Sequence, residues 1–325
     1  MKKEVILVIG SNGQIGTALL PVLKGAYGAA NVVSSDLRAP IVESGIFETL
    51  DATNADQLAN VVRKYRVTQI YHLAAILSAK GEADPLWAWD LNMKTLLNVF
   101  EVARENQLDK VFVPSSIAVF GASAPVTDTP QLTYLDPATV YGVSKVAAEN
   151  WSVYYHKKYG LDVRSLRYPG VISYETMPGG GTTDYAVDIF HKAVLGEEYE
   201  CFLKEDTSLP MIYMPDATRA TLELMEAESD KIKIRSSYNL AGMSFTPAEL
   251  LSCIQSILPH FSSTFKPDFR QTIADSWPNS IDDSMARQQW GWKPIYDLSS
   301  MTKDMIEQLT KKYTLEIAHE SNRQA

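Results

Sequence analysis

The chain has 325 residues, 46% of them apolar, and a formal net charge of −9. That length suits one large or two modest domains, and the acidic balance argues against nucleic acid or an anionic membrane as the main partner. No apolar run approaches the roughly 20 residues of a membrane span. Two cysteines, Cys201 and Cys253, read as reduced core thiols. Five histidines show no metal-ligand spacing, so no metal is expected.

Met1-Lys2-Lys3 leads straight into an apolar run with no signal or transit pattern, so a cytoplasmic protein is expected, or a mitochondrial one if the chain is a processed eukaryotic form. Val5–Ile9 reads as a strand buried on both faces, the requirement of a parallel sheet. Gly10-Ser11-Asn12-Gly13-Gln14-Ile15-Gly16 follows, and a helical pattern begins at Thr17. Strand, glycine turn and helix are the context of a dinucleotide fingerprint. Gly10 would permit the tight turn, Gly13 the approach of a pyrophosphate, and Gly16 close helix–strand packing. The helix N-terminus would attract the phosphates. A second strand ends at Asp36, placed to hold the adenosine ribose hydroxyls and to repel a 2′-phosphate. NAD is therefore expected over NADP, with Arg38 read as solvated.

Further strands are expected at Ile46–Leu50, Gln69–Leu73, Lys110–Pro114 and Asp162–Arg167, and helices at Asn54–Tyr65, Pro85–Asn106 and Pro137–Tyr159. This alternation predicts a doubly wound α/β (Rossmann) parallel sheet over residues 1–170. Beyond it, residues 171–236 and 241–325 are expected to form a smaller substrate-binding lobe. Ser237–Leu240 is read as one returning strand, and Pro178-Gly179-Gly180-Gly181 as a flexible or nest-forming loop.

Val111–Pro114 ends in Ser115-Ser116, where a hydroxyl could bind a reacting oxygen or merely satisfy loop backbone. Tyr141 and Lys145 stand four apart in Tyr141-Gly142-Val143-Ser144-Lys145, on one face of a helix. A phenol beside an ammonium can act as a proton carrier, since the charge favours the phenolate.

The motifs Gly10–Gly16, Asp36, His72-Leu73-Ala74-Ala75, Asn92, Ser116, Tyr141–Lys145 and Arg167-Tyr168-Pro169-Gly170, in this order, resemble the extended short-chain dehydrogenase/reductase family over nearly the whole chain. Within it, Ile76–Glu82, Pro178–Ala186, Leu209–Asp216 and Ser276-Trp277-Pro278 look like the short-chain type L-threonine 3-dehydrogenases.

The resemblance implies NAD-dependent oxidation of L-threonine to 2-amino-3-oxobutanoate, and a homodimer built on the helices at Pro85–Asn106 and Pro137–Tyr159. It implies Ser116, Tyr141 and Lys145 as catalytic residues. Gly10, Gly13, Gln14, Ile15, Gly16, Asp36, Asp51, Leu73, Ala74, Ala75, Asn92, Tyr141, Lys145 and Pro169 would serve the cofactor. Ser78, Ser116, Tyr141, Thr183, Asp184 and Trp277 would serve the substrate. Asp184 would accept from the ammonium, Lys145 would hold the Tyr141 pKa down, and the glycine-run amides could take the carboxylate, for which the substrate segments offer no arginine. Ser78, Thr183 and Asp184 also read as loop and cap residues, and Trp277 equally as core. A nucleotide-sugar epimerase or dehydratase and a non-catalytic NAD-sensing protein stay open as alternatives.

Overall fold

The structure, a computed structural model, describes residues 4–40, 45–177, 179 and 181–324, the side chains of Ala79 and of residues 316–324 excepted. The cofactor-side elements are β1 (Ile6–Ile9), α1 (Gln14–Tyr27), β2 (Val32–Asp36), β3 (Ile46–Thr49), α2 (Ala55–Tyr65), β4 (Gln69–His72), α3 (Ser78–Ala83), α4 (Pro85–Glu105), β5 (Lys110–Phe112), β6 (Ser115–Ser116), α5 (Val140–Tyr159) and β7 (Val163–Arg164). They are followed by β8 (Leu166–Tyr168), β9 (Gly170–Ile172), α6 (Tyr185–Leu195), β10 (Tyr199–Cys201), β11 (Leu209–Tyr213), α7 (Met214–Glu226) and β12 (Tyr238–Asn239). The last are β13 (Met243–Phe245), α8 (Pro247–Gln255), β14 (Ser263–Phe265), α9 (Arg270–Ala274), α10 (Ser284–Trp290) and α11 (Leu298–Gln324).

The fold class is the expected one. Six strands, β3-β2-β1-β4-β5-β7, form a sheet whose pairings are all parallel. Alternate residues of β1 leave opposite faces. Leu7 and Ile9 join Leu58, Leu96 and Phe100 from α2 and α4, while Ile6 and Val8 join Leu19, Leu23 and Leu224 from α1 and α7. Both faces are thereby covered, which explains the unbroken apolar runs. The strand order reverses between β1 and β4, and a crevice opens beyond the carboxyl ends of those strands.

Two of the boundaries that differ from the sequence expectation have a visible cause. The strand expected at 162–167 splits at Ser165. β7 closes the central sheet, whereas β8 pairs with β6 and β12. Arg164 holds the split in place, with its buried guanidinium donating to the carbonyls of Leu224 and Ala227 at 2.6 Å each. The helix expected from Pro137 starts at Val140, because the Thr139 hydroxyl accepts the Gly142 N–H at 3.1 Å and caps it. A further apolar cluster gathers α6, β10, β11, α8 and α11 around Phe190, Tyr213, Leu250 and Met305. Among the described residues no helix is long and apolar enough to cross a membrane, and no group of side chains could hold a metal ion. Cys201 and Cys253 are free thiols.

Candidate active site

The glycine turn is sterically obligatory at both ends. Gly10 has φ +83°, and a Cβ there would lie 2.7 Å from the Ala74 backbone nitrogen. A Cβ on Gly16 would lie 2.5 Å from the Gly10 carbonyl oxygen. Gly13 is different: its nearest neighbour would sit at an ordinary 3.4 Å, so the protein itself leaves that face open. This is the position where a pyrophosphate needs the backbone bare. Asp36 closes the turn, with its Oδ2 accepting the Asn12 N–H at 3.0 Å and its Oδ1 the Leu37 N–H at 2.8 Å.

A groove of about 370 Å³ runs from Gly13 and Asp36 past Asp51 to Leu73, Ala74 and Ala75. Arg38 is exposed beside it. A dinucleotide fits this cradle: it offers bare backbone at a helix N-terminus and an acidic group at the end of β2.

A second cavity of about 260 Å³ continues the groove. Its walls bring together Gln14 and Ile15 from α1, Ser116, Tyr141, Lys145, Pro169, and the substrate-side residues Ser78, Thr183, Asp184 and Trp277. Residues more than 250 positions apart in the chain therefore face one space. Trp277 is 8% exposed within the apolar core and also lines the cavity.

The three candidate catalytic side chains, Ser116, Tyr141 and Lys145, line one cavity. Ser116 lies close enough to the Tyr141 phenol to favour its charged form, and the Ser116 hydroxyl accepts the Ala118 N–H at 3.2 Å, which orients it. Lys145 Nζ lies 5.4 Å from the centre of the Tyr141 ring and donates to the Pro114 carbonyl at 2.6 Å. Gly142 makes this approach possible: a Cβ there would lie 2.1 Å from the Ala118 carbonyl oxygen.

The electrostatics correct one expectation. Burial pushes the Tyr141 phenol up to about 12, with the Ser116 hydrogen bond opposing it. Burial likewise pulls the Lys145 ammonium down to about 8, while Glu149 opposes that shift. In the protein alone, desolvation outweighs the help that Lys145 was expected to give Tyr141.

Asn92, expected to support the site from its helix, lines neither cavity. Its Oδ1 accepts the Ile76 N–H at 2.8 Å and its Nδ2 donates to the Ile76 carbonyl at 3.1 Å, so it braces the Leu73–Ile76 segment from behind. In the glycine run, Pro178 and Gly180 lie outside the described residues, and the Gly181 amide is already spent on Asp184 Oδ2 at 2.7 Å. That amide is not free for a substrate carboxylate. Asp184 occupies the N-cap position of α6 without a side-chain cap bond to the helix. It ties the loop instead.

Sequence reasoning missed several supporting groups. Thr182 is 2% exposed, lines the cavity, and has a hydroxyl without a partner. His72 is buried next to Lys145, which together with burial pulls its pKa down to about 3 and keeps it neutral. Glu149 is 3% exposed and hydrogen-bonds both Ser115 and Arg167. The only local signal for it is its position one helical turn beyond Lys145.

Comparison with known proteins agrees with this geometry. Residues 6–241 match the NAD dependent epimerase/dehydratase family. An uncharacterized epimerase/dehydratase of Staphylococcus aureus is 47% identical over 320 residues, 97% of this chain and 99% of its own. The holo form of an L-threonine dehydrogenase from Cupriavidus necator is 56% identical, with TM-score 0.93, covering 94% of this chain and 99% of that one. An L-threonine dehydrogenase from Clostridium difficile is 47% identical, with TM-score 0.93, covering 96% and 99%.

Proposed function

The chain belongs to the NAD dependent epimerase/dehydratase family, with NAD as its cofactor, and within that family we propose that it is an L-threonine 3-dehydrogenase. The reaction is oxidation of the secondary alcohol of L-threonine to 2-amino-3-oxobutanoate. The observation that carries the reading is the meeting of Ser116, Tyr141 and Lys145 with Ser78, Thr183, Asp184 and Trp277 around one cavity of about 260 Å³. A cavity of this size that is also lined by Gly10, Gly13 and Gly16 of the cofactor turn leaves room for a small zwitterion rather than a nucleotide sugar. The two threonine dehydrogenases that cover nearly the whole chain support the same choice.

Gly10, Gly13, Gln14, Ile15 and Gly16 would hold the pyrophosphate, Asp36 the ribose, Asp51 the adenine, and Leu73, Ala74, Ala75 and Pro169 the groove walls. Bound NAD supplies the hydride acceptor for the chemistry.

Ser116 donates a hydrogen bond to the substrate hydroxyl oxygen, and Tyr141 takes its proton as general base. Lys145 stabilises the phenolate and donates to the ribose hydroxyls. The positive charge that enters with the oxidised cofactor opposes the desolvation of Tyr141, so the base is armed only in the loaded site. Asp184 faces the ammonium, and Thr183 and Ser78 hydrogen-bond the remaining polar groups. Asn92 acts indirectly, by holding the Leu73–Ile76 wall.

Residues 1–170 form the cofactor-binding unit of this reading, and most of the remainder the substrate lobe. A homodimer through α4 and α5 completes it: Trp87, Trp151, Tyr154 and Tyr159 on those helices are exposed aromatic residues, of the kind enriched at protein interfaces.

The test is NADH formation followed by absorbance with L-threonine, D-threonine, L-serine and a UDP-sugar, each with NAD and NADP. Net NADH from L-threonine is expected, and Tyr141→Phe should keep NAD affinity while losing most of kcat. Turnover of the UDP-sugar without net NADH, or NAD binding with no turnover, would overturn the reading.

A further inference from the structure

Glu149 sits on α5 one turn beyond Lys145 and is 3% exposed. A carboxylate so buried is stable only if fully paired. Its Oε1 accepts the Ser115 hydroxyl at 2.7 Å and the Arg167 Nε at 2.9 Å, and its Oε2 accepts Arg167 Nη2 at 2.7 Å. Arg167, itself 4% exposed, spends its remaining nitrogen, Nη1, on the Gln131 carbonyl and Asn239 Oδ1, both at 3.0 Å. No member of this network lines the floor of the cavity except Ser115.

The network joins three pieces of the site. Ser115 precedes the catalytic Ser116 on β6. Glu149 shares a helix face with Lys145 and Tyr141. Arg167 on β8 precedes Tyr168 and Pro169, which line the same cavity. The fork–fork geometry of the pair adds directional restraint as well as energy.

We propose that Glu149 is a positioning residue for the Tyr141–Lys145 pair, clamping β6, α5 and β8 in register and presenting a fixed negative charge to Lys145. The inference rests on the proton-transfer roles proposed above. The charge also opposes the loss of the Lys145 proton on burial. The other groups facing Lys145 are the Pro114 carbonyl, Tyr141 on its own helix and the neutral His72 on β4. Among the described residues, Glu149 is the carboxylate whose charge favours the protonated Lys145.

The experiment compares wild type, Glu149→Gln and Glu149→Asp for NAD affinity, kcat and the pH profile of kcat with L-threonine. Glu149→Gln keeps the shape and removes the charge. We expect NAD affinity to hold within about threefold and kcat to fall by tenfold or more, since a charged hydrogen bond is lost. The alkaline limb, where Lys145 discharges, should move down by about one pH unit, the usual effect of a neighbouring opposite charge. Glu149→Asp should restore the limb while leaving kcat reduced, because the charge returns but the clamp is a methylene short.

If Glu149→Gln does not fold, the double variant Glu149→Gln with Arg167→Gln leaves no lone buried charge and is read in the same way. A wild-type limb and kcat in the folded variant would overturn the inference while leaving the dehydrogenase reading intact. A wild type that forms no NADH from L-threonine fails at that earlier level instead.

Discussion

Glu82 Oε1 accepts the backbone N–H of Val140 at 2.8 Å. The last turn of α3 thereby caps the first turn of α5, so the helix that begins at Ser78 and the helix that carries Tyr141 are tied end to end. Gly81 lies close to the same junction: a Cβ on it would sit 3.2 Å from Val140 Cγ1. Glu82→Ala is expected to raise the KM for L-threonine several-fold and to cost about 1 kcal/mol of stability, the usual worth of a cap. Glu82→Gln keeps the acceptor and should keep most of both. Steady-state kinetics with a thermal melt checks this, and an unchanged KM in the alanine variant would detach α3 from the substrate.

The Tyr141–Lys145 pair makes stability depend on pH in two opposite senses. Between about pH 8 and 10.5 the folded protein has shed the Lys145 proton while the unfolded chain still binds it. By linkage, stability rises with pH across that window. Tyr141 reverses the sign from about 10 to 12, where only the folded protein keeps the phenol proton. Lys145→Met should therefore be more stable than wild type at pH 7 without NAD, by on the order of 3 kcal/mol. The gap should close as the pH approaches 10. Melting temperatures of the two proteins across this range provide the check, and parallel curves would mean that burial does not burden Lys145.

Asp36 both ties the glycine turn and faces the groove. Asp36→Asn is expected to weaken NAD about tenfold, through loss of charged hydrogen bonds. It should weaken NADP less, because repulsion of a 2′-phosphate is relieved. Titration with each dinucleotide measures the ratio, and an unchanged NAD/NADP preference would remove Asp36 from cofactor selection.

Asp184 holds the Gly181 amide at 2.7 Å. Asp184→Ala should raise the threonine KM by tenfold or more and spare NAD affinity, since it removes both the partner of the ammonium and the tie of the loop. Asp184→Asn keeps the amide contact and separates the two effects. If asparagine restores the KM, the loop tie alone matters.

Much of the cofactor half of the site was legible in the sequence because its demands are local. Gly16 is needed by contacts within a single strand–turn–helix, Gly10 by its positive φ in that turn, and Asp36 ends the next strand. The Tyr141–Lys145 spacing was legible for the same reason. What escaped depends on tertiary contact. Ser115 lies 34 residues and Arg167 18 residues from Glu149, and no periodicity links them. The split at Ser165 follows from Arg164 reaching the end of α7, some 60 residues further on. The expected low pKa of Tyr141 failed because desolvation is set by what packs over the ring. The Gly181 amide was read as part of an anion nest, when the Asp184 side chain had already claimed it.

Trp277 forms part of the cavity wall, yet it lies beyond residue 241, where the family match stops. Synthesis runs from the N-terminus, so the groove from Gly13 to Ala75 is the first part of the site to leave the ribosome, and the last wall arrives some 200 residues later. The face of β1 beside that groove is itself covered only once α7 has been made. The proposed hydride transfer needs the wall that Trp277 completes.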